Sequence, residues 1–290
     1  MPGKLVFRYA VIVIFLGLFF SCDIINPEEP LPSYIHVDTA MVKPVPGEIT
    51  GFHNFQDVWV YVDGDLVGTY QIPFTVPVLP SGEQSITLEA GIKESGQTMY
   101  RAKYPFVTSF HKDTLLPPAD TLHITPVYEY VEANVPLYEG FEDLGTQFEN
   151  TEASDTSFII REDSNSIYGN YGYVALDINR PNFDCRTSDL YQLPKNEKIY
   201  LEFDHKGNEK ITAGFFAKEY TDGTFSDVRY SVIILFPSKN WNRVYLNLTE
   251  DIAQTTNAIE YRLFFSASKE ETEDNEIGEV FLDNIKLIHY

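Results

Sequence analysis

Side chains that could carry covalent or metal chemistry are few in this chain and stand far apart. The six histidines lack metal-ligand spacing; they are His36, His53, His111, His123, His205 and His289. No His-Glu-x-x-His, Gly-x-Ser-x-Gly or phosphate-binding glycine loop occurs. Ser266 and Lys269 match the Ser-x-x-Lys motif of serine nucleophiles. That motif needs Ser and Lys one helical turn apart, whereas this pair lies at the end of a predicted strand. A carboxylate pair for glycoside hydrolysis is defined by distance in space, which a sequence does not reveal. The sequence therefore predicts a protein without catalytic activity.

The two cysteines have different predicted roles. Cys185 has no neighbouring His or Cys, so we expect a buried, unreactive thiol. Cys22 follows a basic start, an apolar run at residues 10–20 and one small residue. An uncleaved membrane helix needs roughly 20 apolar residues, about twice this run. The layout resembles a bacterial lipoprotein signal, with Phe19 where Leu is usual. The resemblance implies that residues 1–21 are a cleaved signal peptide and that Cys22 carries fatty acyl chains such as palmitate.

The residues after Cys22 and the overall charge bear on location. Residues 22–32 are acidic and rich in proline, which predicts an extended tether. The acids Glu28 and Glu29 resemble the export tags of Bacteroidetes-type surface lipoproteins, which implies an outer-membrane protein facing the cell surface; the periplasmic side is the alternative. The chain has 43 acidic and 21 basic residues, a net charge of −22. This charge argues against nucleic acid as a partner and leaves membrane attachment to the lipid.

Residues 33–132 show the alternation that β-strands require. A strand-like run at 58–62 leads into Asp63-Gly64, the pair that a two-residue hairpin turn prefers. Pro77 places a second run at a sheet edge, because proline cannot donate to a central ladder. The Asp-Gly hairpin and a later Pro-x-Gly-x-x-x-Ile turn resemble PEGA or immunoglobulin-like modules. The resemblance implies a β-sandwich that serves as a spacer or contact domain.

Prolines and a loss of alternation mark a domain boundary at residues 132–136. Strand-length segments bounded by turn residues then recur to the end of the chain, and only residues 251–258 suggest a helical turn. About 150 residues of this spacing predict one two-sheet sandwich of the jelly-roll kind. The chain is therefore predicted to be all-β, with an Ig-like or PEGA-like β-sandwich at 33–132 followed by a jelly-roll β-sandwich at 136–290.

Short motifs at both ends of the second block carry a further resemblance. Tyr138-Glu-Gly-Phe-Glu-Asp143 opens the block and Val280-Phe-Leu-Asp-Asn-Ile-Lys-Leu287 closes it. They resemble the first and last strands of carbohydrate-binding modules with a galactose-binding-like jelly roll. The resemblance implies a structural calcium held by Glu142 and Asp283, with Glu139 and Asp143 as weaker candidates. Calcium needs several oxygen ligands at about 2.3–2.6 Å, and ordinary surface acids at strand ends are the alternative.

Carbohydrate recognition also needs exposed aromatic rings beside hydrogen-bonding groups. Residues 166–173 hold three tyrosines among two glycines and Asn170, which favours a flexible loop that exposes them. Trp241 precedes a predicted strand, where it either binds ligand or plugs one end of the sandwich. The candidates are Tyr168, Tyr171, Tyr173, Tyr220, Phe225 and Trp241. Core packing is the alternative for each.

Three Asp-Thr-apolar triplets resemble O-glycosylation acceptors of the same bacterial group. They place the modification at Thr39, Thr114 and Thr121, with Asp-Thr turn chemistry as the alternative.

These features predict a lipid-anchored, surface-exposed, non-catalytic protein that binds glycan or another extracellular ligand. Its partners would be the membrane, through the N-terminal lipid, and that ligand, with no cofactor apart from the structural calcium that the resemblance implies. The alternative is a structural or assembly subunit of a cell-envelope protein complex.

Overall fold

Alternation of apolar and polar residues gives most of the chain the extended backbone of β-strands. The computed structural model describes residues 31–44, 51–79, 82–96, 100–269 and 276–290. The predicted signal peptide, Cys22 and nearly all of the tether lie outside these residues. Within them there are twenty-one strands and one short helix, α1 (Thr249–Gln254), and no helix is long and apolar enough to cross a membrane. The all-β prediction is confirmed, and the one helical turn begins two residues before its predicted start.

Ten strands form the N-terminal domain. They are β1 (Ser33–Val37), β2 (Met41–Lys43), β3 (Asp57–Val62), β4 (Asp65–Gln71), β5 (Phe74–Val78), β6 (Glu83–Lys93), β7 (Arg101–Lys103), β8 (Phe110–Leu115), β9 (Thr121–Ile124) and β10 (Val127–Glu129). One sheet has the order β4-β3-β6-β7, with β8 also on β6, a second has the order β5-β1-β9, and β10 pairs with β2. Apolar residues of the first two sheets share one core.

Two local predictions for this domain are confirmed. Asp63 and Gly64 form the β3–β4 turn with φ angles of 52° and 85°, the left-handed conformation that a two-residue hairpin needs. Pro77 lies in β5, which is an edge strand of its sheet. The sandwich core between β1 and β3 is built from alternate residues such as Ile35 and Val58, both 0% exposed.

The remaining strands form the C-terminal sandwich. They are β11 (Asn134–Glu139), β12 (Phe148–Asn150), β13 (Ile159–Arg161), β14 (Tyr171–Leu176), β15 (Asn182–Thr187), β16 (Ile199–Gly207), β17 (Ile211–Thr221), β18 (Thr224–Leu235), β19 (Ser238–Asn247), β20 (Ala258–Ser268) and β21 (Gly278–His289). A six-stranded sheet has the order β13-β14-β21-β16-β19, with β11 also on β21, and a five-stranded sheet has the order β12-β15-β20-β17-β18.

Large apolar side chains fill the space between these two sheets. Phe203 of the six-stranded sheet meets Phe265 of the five-stranded sheet with ring centroids 5.0 Å apart. Cys185 is buried in the same core, and burial raises the pKa of its thiol. This agrees with the unreactive thiol expected from the sequence.

Gly207 ends β16, where it is the register partner of Val280 in β21 and lies at a register shift opposite β19. Its φ is 149°, and a β-carbon there would lie 2.2 Å from the carbonyl oxygen of Glu279. We therefore expect Gly207→Ala to lower the free energy of unfolding by more than about 1 kcal/mol, because backbone would have to move. Urea unfolding measures this, with Ser231→Ala on the exposed part of β18 as the control. Equal midpoints for the two variants would contradict the close approach.

The N-terminal domain packs on the outer face of the six-stranded sheet through an apolar interface. Its members are Phe55, Tyr104, Phe106 and Tyr128 from the N-terminal domain and Tyr200, Tyr245 and Ile288 from the sandwich. Glu94 adds a polar contact, because it accepts hydrogen bonds from the Tyr200 hydroxyl at 2.5 Å and from Nδ2 of Asn247 at 2.8 Å. The spacer or contact module predicted from the sequence is thus joined to the sandwich by a packed interface.

A buried ionic network lies at the centre of this interface. Glu202 accepts hydrogen bonds from the hydroxyls of Tyr104 and Tyr130 of the N-terminal domain and lies 3.2 Å from Nζ of Lys286. Arg243 donates to both oxygens of Asp204 at 2.8 Å. Burial alone would lower the pKa of Arg243, but the neighbouring carboxylates hold it well above its usual value. All four charged side chains belong to the sandwich, and the N-terminal domain covers them and supplies two hydroxyl donors to Glu202.

Candidate functional site

Three of the predicted aromatic residues come together on the outer face of the six-stranded sheet, but they are covered. Tyr171 and Tyr173 are 0% and 4% exposed, and they pack with Phe281 and Trp241. The prediction that a flexible loop exposes these two tyrosines is wrong, because they lie in β14 between β13 and β21. Trp241 lies within β19, not before a strand, and its ring belongs to this outer cluster instead of the sandwich core.

The segment before β14 closes over this aromatic cluster. Trp241 Nε1 donates to the Asn165 carbonyl oxygen at 2.5 Å, and Lys206 Nζ donates to Asn165 Oδ1 at 2.8 Å. The Tyr171 hydroxyl donates to Asp163 at 3.0 Å. One end of the outer face is thus capped by this segment and the other by the N-terminal domain. An incoming ligand would find little of the cluster accessible.

The predicted calcium ligands have other partners. Glu142 is exposed and accepts hydrogen bonds from the backbone N–H of Asn170 at 2.8 Å and from its side chain at 3.1 Å. It lines a cleft of about 440 Å³ formed by residues 138–147. Glu139, at the start of that cleft, is buried and accepts backbone N–H groups of Phe141 and Gln147 at 2.7 and 2.6 Å. These carboxylates fix the loop that connects β11 to β12.

Asp283 lies opposite Asp204 across the β16–β21 pair and is 2% exposed. Burial, followed by the charges of Asp204 and Glu142, raises the pKa of Asp283 to about 8. Two carboxyl groups, one of which already accepts hydrogen bonds from Asn170, are fewer oxygens than calcium needs. Among the described residues, no three His, Cys, Asp or Glu side chains come together as a metal site would require. The calcium stays a prediction.

The outer face of the five-stranded sheet is accessible, and we call it the open face. Inward residues of these strands belong to the sandwich core, so the alternate residues point outward. The charged side chains and the two exposed aromatic side chains of the open face are Glu149, Asp184, Arg186, Lys218, Tyr220, Phe225, Asp227, Arg229, Glu260 and Arg262.

Ion pairs across neighbouring strands order the charged side chains of the open face. Arg186 lies 2.8 Å from Glu149 and 3.4 Å from Asp227. Arg229 lies 2.6 Å from Asp184, and its guanidinium lies 3.7 Å from the centroid of the Phe264 ring. The side chains of Arg186 and Arg229 remain 30% and 33% exposed. Planar hydrogen-bonding groups are therefore held in place and still reach solvent.

Two predicted aromatic residues extend this face at the β17–β18 hairpin. Tyr220 and Phe225 are cross-strand partners, each 52% exposed, with ring centroids 5.0 Å apart. Only Asp222-Gly223 forms the turn between these strands, because both strands run almost to the tip. The rings thus sit on paired strands and not on a mobile loop. Tyr168, the sixth candidate, is 59% exposed but lies away from this sheet.

The charged residues of the open face were missed by the sequence analysis. The sequence does show polar residues at every second position of these strands, such as Asp184 and Arg186 in β15 and Asp227 and Arg229 in β18. Such alternation is typical of any strand with one exposed side, so it predicts a solvent-exposed sheet face but not a ligand-binding site.

The predicted O-glycosylation sites are all on the N-terminal domain. Thr39 and Thr121 are exposed, and Thr114 in β8 is half-buried. Asp120 accepts a hydrogen bond from the backbone N–H of Thr121 at 2.8 Å, which is the turn chemistry given as the alternative. The modification stays a prediction.

Comparison with solved structures finds β-sandwich domains that resemble about half of this chain. The family 11 carbohydrate-binding module of the cellulosomal cellulase Lic26A-Cel5E of Clostridium thermocellum is 19% identical over 55% of this chain and 96% of the module, with a TM-score of 0.35. The carbohydrate-binding module CBM28, specific for non-crystalline cellulose, is 15% identical over 53% of this chain and 94% of its own, with a TM-score of 0.34. The enzymatically active domain of bacteriophage CBA120 tailspike protein 4 is 11% identical over 51% of this chain, with a TM-score of 0.37, and the match spans only 20% of that domain. No protein-family model and no curated protein matches the chain. At these identities the likeness is one of fold.

Proposed function

We propose that this protein is a non-catalytic glycan-binding protein, that its open face binds the sugar, and that acyl chains on Cys22 anchor it to the outer membrane facing the cell surface. The observation that carries the proposal is the exposed ring pair Tyr220 and Phe225 beside ordered, solvent-reaching guanidinium and carboxylate groups. Exposed rings next to a few oriented polar groups are what carbohydrate sites combine.

Each part of the open face has a role in this proposal. Tyr220 and Phe225 offer apolar surface to the C–H face of a sugar ring. Arg186 and Arg229 donate to hydroxyls, while Asp227, whose side chain is 37% exposed, accepts from them. Because ion pairs already hold these side chains, little conformational freedom is lost on binding.

The charge of the open face suggests the class of glycan. Its four carboxylates are matched by four basic side chains, so the face itself is balanced. The chain as a whole carries −22, which repels polyanions at long range. We therefore propose a neutral glycan, laid across the strands of the sheet.

The segment between Cys22 and β1 is long enough for the proposed membrane anchor. Roughly ten residues separate Cys22 from β1, and an extended proline-rich segment of that length spans roughly 30 Å. This is enough to hold the N-terminal domain clear of the lipid headgroups, with the sandwich beyond it.

The double variant Tyr220→Ala, Phe225→Ala is expected to weaken binding to a neutral oligosaccharide at least about tenfold, because two stacking surfaces are lost. A glycan array with the full chain identifies the ligand, and calorimetry measures its affinity. Tyr168→Ala is the matched control, since that ring is exposed but off the face. Unchanged affinity in the double variant, with loss in the control, would refute the open face as the site.

A second candidate function is assembly within a cell-envelope complex. It is favoured by β18, which pairs only with β17 among the described strands and exposes Ile234 at 58%. A long free edge can accept a strand from another protein. No glycan binding on the array, together with a single envelope protein cross-linked through position 234, would support this function instead.

A further inference from the structure

The N-terminal domain carries a pair of imidazoles that neither the anchor nor the open face uses. His36 of β1 and His123 of β9 are register partners on adjacent parallel strands. Their ring centroids are 4.9 Å apart with an interplanar angle of 63°. His36 is half-buried and His123 is exposed, so solvent reaches the pair.

A third residue orients one of these rings. Nδ1 of His36 lies 2.8 Å from Oγ1 of Thr75 on β5, the strand on the other side of β1. If the neutral ring carries its proton on Nδ1, it donates to this hydroxyl and Nε2 keeps a free lone pair. A hydrogen bond from the far nitrogen is the usual support of a metal-ligating histidine, because it fixes tautomer and ring orientation.

We propose that His36 and His123 bind a divalent transition-metal ion, Zn²⁺, Ni²⁺ or Cu²⁺, through one ring nitrogen each. Strands in a sheet lie about 4.8 Å apart, so two imidazoles in register can converge on one ion about 2.1 Å from each nitrogen. To bring one of its nitrogens to the same ion as Nε2 of His36, the exposed ring of His123 rotates toward His36. Imidazole selects these ions over calcium and magnesium, which prefer oxygen.

The surroundings define what kind of site this is. Among the described residues, no third His, Cys, Asp or Glu joins the pair in a metal-holding group. Water completes the coordination, and the ion exchanges with solvent. The net charge of −22 raises the local concentration of cations around the chain.

The test is calorimetric titration of the full chain with ZnCl₂. Tyr220 and Phe225 are left unchanged, so the result does not depend on the proposed glycan site. We expect one zinc per chain, and we expect His36→Gln and His123→Gln each to weaken it at least about tenfold, since one of two protein ligands is lost. His111→Gln is the matched control: that imidazole is also exposed on the N-terminal domain but contacts Thr87 at 2.9 Å on another sheet. A second readout is Cu²⁺ electron paramagnetic resonance, which should show two coordinated nitrogens in the wild type and one in either variant.

Two results would overturn the proposal. One is zinc affinity in the His36→Gln, His123→Gln double variant equal to that of the wild type. The other is equal affinity for zinc and calcium, which would indicate carboxylate ligands. Circular dichroism confirms that the variants fold, which is expected because both side chains lie on the outer surface of the sheet.

Discussion

Replacing Arg243 by methionine is expected to lower the free energy of unfolding by about 3–5 kcal/mol, the cost of leaving buried charges without their partner. Arg243 is 2% exposed, and Asp204 and Glu202 beside it are 0% exposed. Methionine approximates the length of the side chain but supplies neither charge nor donors. The carboxylates would then have to take up protons or admit water.

The matched control for this prediction is Arg186→Met on the open face. That arginine also pairs with two carboxylates, but it is 30% exposed, and surface pairs contribute about 0–1 kcal/mol. Urea unfolding followed by tryptophan fluorescence measures both variants. Equal losses in the two would contradict the view that burial of the interdomain network sets its effect.

The second large effect concerns pH. We expect Asp283→Asn to leave stability nearly unchanged at pH 4 and to raise it at pH 9 by an amount on the order of several kcal/mol, since each unit of pKa shift corresponds to about 1.4 kcal/mol. The native pKa of Asp283 is about 8, against an ordinary value of 3.8.

The sign follows from proton binding. Between pH 3.8 and about 8 the folded state holds a proton on Asp283 that the unfolded state releases. The wild-type contribution of this group is therefore fully present below pH 3.8 and is lost as pH rises through 8. Asparagine resembles the neutral carboxyl and does not titrate, so its stability curve should be flatter.

Thermal unfolding across pH 4 to 9 tests this expectation, with the exposed Asp227→Asn as control. Similar pH profiles for the wild type and Asp283→Asn would contradict a protonated Asp283. The same experiment addresses the predicted calcium. If calcium raises the unfolding temperature of the wild type at pH 8 but not that of Asp283→Asn, Asp283 is a calcium ligand and is ionised when the ion is bound.

Local chemistry made much of the fold predictable. Asp63-Gly64 fixes a hairpin because few other pairs accept two positive φ angles, and Pro77 fixes an edge because it lacks a donor. Residues 221–224, Thr-Asp-Gly-Thr, are of types that favour a turn. Pairing between β17 and β18 nevertheless continues to Thr221 and Thr224, although pairing of β17 with β20 ends at Glu219.

Exposure of the aromatic residues was harder to predict, because it depends on contacts distant in sequence. Tyr171 and Tyr173 are surrounded by flexible residues in the chain, yet pairing of β14 with β21 buries them under the segment that holds Asn165. Tyr220 and Phe225 gave a similar sequence signal and are exposed. The interdomain network was unpredictable for the same reason, since Tyr104 and Glu202 are 98 residues apart.

Hydrogen–deuterium exchange of the full chain, with and without a neutral oligosaccharide selected on the array, tests the central claim most directly. The account predicts slower exchange in the β17–β18 hairpin and in β15 of the open face, with no change in β14 or β21. Protection confined to β14 and β21 would place the ligand on the covered face of the other sheet and contradict the account.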